Sequence, residues 1–477
     1  GDQFTVLDPA TDRPVAMVNL ATAADVDRAV GAARAALPGW AGATPAERSA
    51  VLGELARVLE ANADLLAVEE VSHTGKAIRL ATEFDVPGSI DNVSFFAGVA
   101  RNLDGKASAE YSGDHTSSIR RETVGVVGSI TPWNYPLQMA VWKVIPAVAA
   151  GCTVVLKPAE LTPLTTVTLA RLMTEAGVPD GVFNVVVGTG AEVGAALAGH
   201  PGVDMVTFTG STAVGRMVMS QAARNGTRVQ LELGGKAPFV VFDDADLDAA
   251  VHGAVAGALI NAGQDCTAAT RAIVAQPLYG SFVDGVADLF RSVVVGDPSD
   301  PATDMGSLIS HAHRDKVAGM VDRAAAAGFR IAAGGKAPSG PGCFFPPTLV
   351  ADVTEESEIY RDEVFGPVLT VSSFTDDDDA IRRANDTVYG LAASAWTRDV
   401  YRAQRAGREI AAGCVWINDH IPIISEMPHG GYGASGFGKD MSTYSLDEYL
   451  AIKHVMSDIT GVARKPWHRT VFGGGDA

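Results

Sequence analysis

Asn261-Ala262-Gly263-Gln264-Asp265-Cys266-Thr267 sets one cysteine among small and polar neighbours, the surroundings of a thiol that a ligand must reach. Upstream, Leu231-Glu232-Leu233-Gly234-Gly235-Lys236 places a carboxylate between an apolar run and a glycine pair. A thiol that attacks a carbonyl and a carboxylate that activates water are the minimum for acyl-enzyme chemistry. The other three cysteines lack such flanks. Cys152, in the apolar run 148–156, and Cys414, before Val415-Trp416-Ile417, read as small buried hydrophobes. Cys343 precedes Phe344-Phe345-Pro346-Pro347 and is expected at the start of a strand. Four cysteines in 477 residues make no disulfide framework, and no CxxC or Cys/His spacing predicts a metal.

These side chains need a scaffold of more than one core, since 477 residues exceed what a single core holds. With 47% hydrophobic and 19% charged residues the chain is ordinary globular material, not a disordered one. A formal charge of −19 and no dense Lys/Arg cluster exclude nucleic acid as a partner. No basic-then-apolar leader is visible, and the most apolar stretch, 144–156, is too short to span a bilayer. A free thiol nucleophile suits a reducing, cytoplasmic setting, without a membrane.

Along the chain, residues 4–20 read as short extended segments. Thr44-Pro45-Ala46-Glu47 is a capping box with proline at the first helical position, the first firm helix signal. A second helix is expected over 82–101. Residues 107–127 read as a hairpin turning at Tyr111-Ser112-Gly113-Asp114; it either pairs with another subunit or lies on the surface. Short apolar runs at 124–130, 153–156, 183–187, 205–208 and 229–231 alternate with helical stretches such as 164–175. That alternation predicts a parallel sheet with crossover helices and a ligand beyond its carboxyl ends. After Gly235 it starts again, with strands at 239–242 and 273–275 and helices at 247–260 and 278–291, up to about residue 435. Cys266 then falls in a second α/β domain. Residues 449–459 suggest one further strand, and the Gly-rich end is expected to be mobile.

Read in order, Thr131-Pro132-Trp133-Asn134-Tyr135-Pro136, Lys157-Pro158-Ala159-Glu160, Phe208-Thr209-Gly210-Ser211, the Glu232 and Cys266 segments, Glu363-Val364-Phe365-Gly366-Pro367 and Ser435-Gly436-Phe437-Gly438 resemble the NAD(P)-dependent aldehyde dehydrogenase superfamily over nearly the whole chain. The resemblance implies an α/β fold: a Rossmann-type cofactor domain (1–106 and 128–234), an α/β catalytic domain (235–448) and a small β oligomerisation arm with tail (107–127 and 449–477). It implies a homodimer or homotetramer. Cys266 is then the nucleophile, Glu232 the base, and Asn134, with the Cys266 N–H, the oxyanion donor; capping the helix that starts near Pro136 is a second role for Asn134, and since the two use different groups both can hold. Cofactor contacts fall to Ile130, Thr131, Pro132, Trp133, Lys157, Pro158, Glu160, Gly190, Gly210, Ser211, Gly215, Leu233, Gly234, Glu363 and Phe365. No GxGxxG occurs in the Rossmann spacing; Gly210 to Gly215 is a glycine turn before a helix, with Ser211 as a donor. Glu160 accepts from a 2′-hydroxyl and repels a 2′-phosphate, which favours NAD; Lys157 leaves NADP open.

Within the superfamily the similarity is to the 4-aminobutanal (aminobutyraldehyde) branch of polyamine degradation, beside the betaine-aldehyde enzymes. It rests on residues 261–269, on Ser425-Glu426-Met427-Pro428-His429-Gly430-Gly431 and on Gly438-Lys439-Asp440-Met441-Ser442. Asp265 and Glu426 suit a cationic aldehyde, and Thr267 flanks the nucleophile. Tyr135 and Trp142 match two walls of an aromatic cage whose third wall is His429 here; Trp142 is otherwise plain core. The resemblance places Asp440 in a proton path where relatives carry Glu. Alternatives are a betaine-aldehyde or broad-specificity enzyme, a CoA-acylating one, and a non-catalytic family member.

Overall fold

Val126–Ile130 and Thr153–Lys157 are buried at every residue, as strands covered on both faces must be. The structure, a computed structural model, describes residues 2–471; the Gly-rich end lies outside the described residues. The two strands belong to a six-stranded sheet ordered Gly436–Phe437, Arg228–Glu232, Met205–Thr209, Val126–Ile130, Thr153–Lys157, Phe183–Val185. Every pairing in it is parallel except that of Gly436–Phe437. The chain runs outward from Val126–Ile130 on one side and returns to Met205–Thr209 on the other. The order therefore reverses between these two strands, and a crevice opens at their carboxyl ends.

The second sheet has seven strands, ordered Arg330–Ala333, Thr348–Ala351, Val368–Phe374, Ala269–Ala275, Ala237–Val241, Ala392–Trp396, Cys414–Ile417, antiparallel only at its first pair. Its amino ends, not its carboxyl ends, face the crevice. Cys266 leads into Ala269–Ala275 and Glu363 into Val368–Phe374, while Glu232 closes a strand of the first sheet. A third sheet pairs Leu450–Asp458 with His115–Thr123 over nine positions, and His115–Thr123 with Ala109–Ser112. The expected hairpin is there, and the tail strand completes it.

The helix Pro136–Ala149 is buried along its whole length between the first sheet and the helices Pro45–Ala61 and Val86–Val99. Thr44 closes its box in both directions, accepting from Glu47 N at 3.3 Å and donating its own N–H to Glu47 at 2.7 Å. The helix expected over 82–101 starts earlier, at Ile78, and crosses a π-turn at Ala81–Asp85 before Val86–Val99. Ala23–Gly42 gave no firm signal: its own box uses Asp25 in place of Glu or Gln, and Pro38 interrupts the pattern. Cys343 lies in a loop short of Thr348–Ala351, not at its start, because Pro346 and Pro347 delay the strand. Cys414 is half-buried, since its strand is the outer edge of the sheet. Among the described residues no helix is long and apolar enough to cross a membrane.

Gly436 fixes the edge next to Glu232. At φ 101° it sits where L residues are strained, and a Cβ would lie 2.1 Å from Leu231 O. Gly436→Ala is expected to cost about 1–3 kcal/mol in denaturant unfolding; an unchanged midpoint contradicts this role.

Candidate active site

Glu232 is the last residue of its strand, with its carbonyl bonded by Gly210 N at 3.1 Å and the next amide, Leu233 N, bonded to Ser435 O at 3.0 Å. The chain thus holds the carboxylate at the sheet's carboxyl edge from both sides. Both its oxygens are buried without a hydrogen-bond partner. The Cys266 sulfur and a His429 ring nitrogen face them, all three within 4.8 Å of one another. His429 Nε2 stands 3.7 Å from Glu232 Oε1.

The loop that presents Cys266 passes through three consecutive left-handed residues, Asn261 (φ 49°), Ala262 (φ 54°) and Gly263 (φ 70°). Such a path is costly for alanine and persists only where the surroundings over-determine it. They do. Asn261 Nδ2 donates to Asn134 O at 2.9 Å, Gln264 Nε2 donates to Asn261 O at 3.1 Å, and Ile309 N donates to Gln264 Oε1 at 2.9 Å. A Cβ on Gly263 would lie 2.1 Å from Gly366 O, and one on Gly235 would lie 2.2 Å from Cys266 O. The loop is seated directly on two glycine backbones.

Asn134 Nδ2 donates to Gln264 O at 2.9 Å. An amide nitrogen has two N–H bonds, so this one orients the group and leaves the second for a ligand oxygen. It does not cap the following helix: Tyr135 holds that position, without a side-chain bond.

Cys266 is partly exposed through the cavity, yet its sulfur lies deep. Burial and the charges of Glu232 and Asp265 push the thiol well above its ordinary value. Glu363 is pushed up to about 7, chiefly by burial; it accepts from Gly235 N at 2.9 Å. A Cβ on Gly234 would meet that carboxylate at 2.4 Å.

One cavity of about 200 Å³ joins these groups. Cys266, Glu232, Asn134, Tyr135, Trp142, Asp265, Thr267 and His429 line it, as do Pro132, Trp133, Gly210, Ser211, Leu233, Gly234, Glu363 and Phe365. The Trp133 ring meets Phe365 edge-on at 5.4 Å, and Phe365 holds a left-handed φ of 58°. Ile130, Thr131, Lys157, Pro158, Glu160, Gly190 and Gly215 do not line this cavity. They follow the carboxyl edge of the first sheet outward, where Lys157 Nζ donates to Pro158 O at 2.7 Å and to Glu160 at 3.3 Å. Gly215 lies in the helix Thr212–Ala223, capped by Ser211, and a Cβ there would strike Leu233 at 2.4 Å. Glu426 is not brought in: its side chain is exposed and outside the cavity, while its neighbour Ser425 is buried against Asp91.

Asp265 accepts from Tyr135 Oη at 2.7 Å and from Thr267 N and Oγ1 at 2.7 Å each. The Tyr135 ring is covered by the buried Lys76 ammonium at 4.2 Å from its centre, and Trp142 packs on His429 at 5.1 Å. Nothing local in the sequence marks His420. It is buried, bridges Thr267 O and Ser394 Oγ at 2.9 Å each, and is driven down to about 4 by burial, so it stays neutral. Phe84, Met139 and Ile423 add apolar wall, and Gln138, Thr209, His313 and Lys316 add polar wall. The helical spacing of 136–149 marks Gln138 and Met139 as core; only contact with the Cys266 loop marks them as lining.

The aldehyde dehydrogenase family pattern matches residues 1–455. The chain is 40% identical over 457 residues to an aldehyde dehydrogenase of Alternaria alternata, covering 95% of this chain and 92% of that one. It superposes on the betaine aldehyde dehydrogenase of Staphylococcus aureus in complex with NAD+ with a TM-score of 0.95, at 38% identity, covering 98% and 93% of the two chains. The NAD+ complex of aldehyde dehydrogenase from Bacillus cereus gives a TM-score of 0.95 at 39% identity, covering 96% and 94%.

In the cofactor-free protein, alkylation of Cys266 by iodoacetamide is expected to climb with pH past the ordinary thiol value of 9.0 without levelling. Removing the neighbouring charge in Glu232→Gln moves the profile to lower pH. A plateau below the ordinary value in the unaltered protein contradicts the placement of the two groups.

Proposed function

The chain belongs to the aldehyde dehydrogenase family, and from that premise we propose that it oxidises 4-aminobutanal to 4-aminobutanoate with NAD. The observation that carries the substrate is Asp265. Its carboxylate adjoins the nucleophile at the cavity wall, fixed by three hydrogen bonds, and among the described residues no arginine lines the cavity. A carboxylate there attracts an ammonium group and repels a carboxylated semialdehyde. The betaine-aldehyde reading has the Staphylococcus aureus neighbour in its favour. Against it, Lys76 already covers the Tyr135 ring and His429 packs on Trp142, leaving too little aromatic face for a trimethylammonium group.

For the cofactor, the residues fit a dinucleotide. The crevice lies at the strand-order reversal, a capped helix N-terminus opens onto it at Ser211, and Gly210 and Gly234 stand where a Cβ would collide. Pro132, Trp133, Leu233, Glu363 and Phe365 would hold the nicotinamide half; Lys157, Pro158 and Glu160, with Ile130, Thr131 and Gly190 beside them, would hold the adenosine half. When bound, NAD supplies the two-electron oxidant that turns a thiohemiacetal into a thioester.

The chain's own residues do the rest. Cys266 attacks the aldehyde carbon as its proton passes to Glu232, and the free N–H of Asn134, with the Cys266 backbone N–H, meets the new oxyanion. Each such donor lowers the barrier by about 3–4 kcal/mol. Glu232 gives the thiol proton up to solvent and, as a carboxylate again, takes one from water, which adds to the thioester carbonyl; the acid leaves as the carbon–sulfur bond breaks and the sulfur takes a proton back from Glu232. A base beside the thiol supports hydrolysis over transfer to CoA, and an intact trio supports catalysis over a purely structural part. The six- and seven-stranded sheets would be the cofactor and catalytic domains. The three-stranded sheet, with Tyr111, Ile452 and Met456 exposed, would be the arm that pairs subunits in a dimer or tetramer. A free thiol nucleophile suits a reducing cytoplasm.

Comparing kcat/KM with NAD for 4-aminobutanal, betaine aldehyde, hexanal and succinate semialdehyde should rank the first highest. Asp265→Asn should lower that value about tenfold, equivalent to ~1.4 kcal/mol, and leave hexanal nearly unchanged. A preference for hexanal or the semialdehyde overturns the substrate assignment.

A further inference from the structure

Away from the catalytic cavity, three chain segments bring a thiol, an imidazole and a carboxylate together. The Cys343 sulfur, a ring nitrogen of His311 and a carboxylate oxygen of Asp12 lie within 4.8 Å of one another, and all three residues line a separate cavity of about 110 Å³. We propose that Asp12, His311 and Cys343 form a binding site for a thiophilic divalent cation of the zinc type, clipping the N-terminal hairpin to the body of the second sheet.

The backbones that carry the three side chains are fixed before any ion arrives. Asp12 sits in the turn between Gln3–Asp8 and Arg13–Asn19, at φ 60°, with its N–H bonded to Asp8 O at 2.8 Å. Its second carboxylate oxygen accepts from Gly342 N at 2.9 Å. Cys343 N donates to Pro9 O at 2.8 Å, and Leu308 N donates to Cys343 O at 3.0 Å. A Cβ on Gly342 would lie 2.3 Å from Ala10 O, so the close approach of the two loops requires glycine there. His311 is the first residue of the helix His311–Ala326, held behind the Ser310 cap.

The donor set selects the ion. One sulfur, one imidazole nitrogen and one carboxylate oxygen make a three-ligand set that zinc uses, with water in the fourth position; calcium and magnesium want oxygen alone. Bond lengths of about 2.0–2.3 Å put tetrahedral ligand atoms some 3.3–3.8 Å apart. His311 Nε2 and Asp12 Oδ1 are now 2.7 Å apart, sharing a hydrogen bond, so they need to part by an ångström or less. His311 and Asp12 are part-exposed, which leaves a path for the ion, while Cys343 is 2% exposed and shielded from oxidants. Burial pushes the Cys343 thiol up to about 12, which argues against a nucleophile here. A metal overcomes this by displacing the proton: M²⁺ and the thiol give a metal–thiolate bond and one H⁺, so affinity rises with pH. Arg314 is the opposing charge. Its guanidinium bonds Gly342 O at 3.3 Å, while Asp8 and Asp315 offset it nearby.

Glu232, Cys266 and His429 offer a second thiol-containing set, so the test is run in Cys266→Ser protein. Titrated with Co²⁺, this variant is expected to develop a thiolate-to-cobalt charge-transfer band saturating at one equivalent, competed away by Zn²⁺ and not by Mg²⁺. Adding Cys343→Ala abolishes the band; His311→Asn or Asp12→Asn weakens binding by about 10–100-fold. Zn²⁺ raises the melting temperature of the Cys266→Ser protein but not of the double variant. Cys343→Ala alone, without metal, melts and turns over as the unaltered protein does. No band in the Cys266→Ser protein, or a band that survives Cys343→Ala, overturns the site.

Discussion

A thiol and a carboxylate are buried side by side, and burial together with the carboxylate's charge holds the proton on the thiol. This coupling is what the active site is built to enforce. Glu232 has no hydrogen bond to spread its charge, so the nearest proton, that of Cys266, feels it directly. At rest the thiol keeps its proton. Reaction begins when the proton crosses between them, and ends when the carboxylate, having passed that proton to solvent, takes another from water.

Holding that pair requires two sheets to meet with opposite polarity. Glu232 rides the carboxyl edge of the six-stranded sheet; Cys266, Glu363 and Phe365 ride loops that enter the amino edge of the seven-stranded one. Backbone approaches backbone at the seam and on both sides of it: Gly235 under Cys266 between the two, Gly263 on Gly366 among the loops of the seven-stranded sheet, and Gly436 against Leu231 within the six-stranded one. Larger residues at these positions would separate the edges, and the thiol would move away from the carboxylate with them. The left-handed turn at Asn261 and Ala262 is the local strain that this closeness costs, held in place by the side chains of Asn261 and Gln264.

Much of this was legible in the chain itself. Short apolar runs between helical stretches located the five parallel strands of the first sheet, most plainly Val126–Ile130, Thr153–Lys157 and Met205–Thr209, which are buried at every residue and so leave an unbroken apolar signature. The flanks of Cys266 separated it from Cys152, which is indeed buried against apolar neighbours. What stayed hidden depends on contacts between distant segments. Ala23–Gly42 lacked the usual box residue, and Cys343 was displaced from its strand by two prolines. The buried bridge of His420 to Thr267 leaves no local trace, and neither does the exposure of Glu426. The Lys76 ammonium over Tyr135 is of the same kind: the sequence showed an aromatic wall, and only the fold showed that one face of it is taken.

The most direct measurement is rapid-quench mass spectrometry of the Glu232→Gln variant mixed with NAD and an oxidisable aldehyde. The account predicts that the peptide carrying Cys266 gains the mass of the acyl group in a fast first turnover and then holds it, because water is no longer activated. Turnover that continues at the unaltered rate, with that peptide never modified, would contradict it.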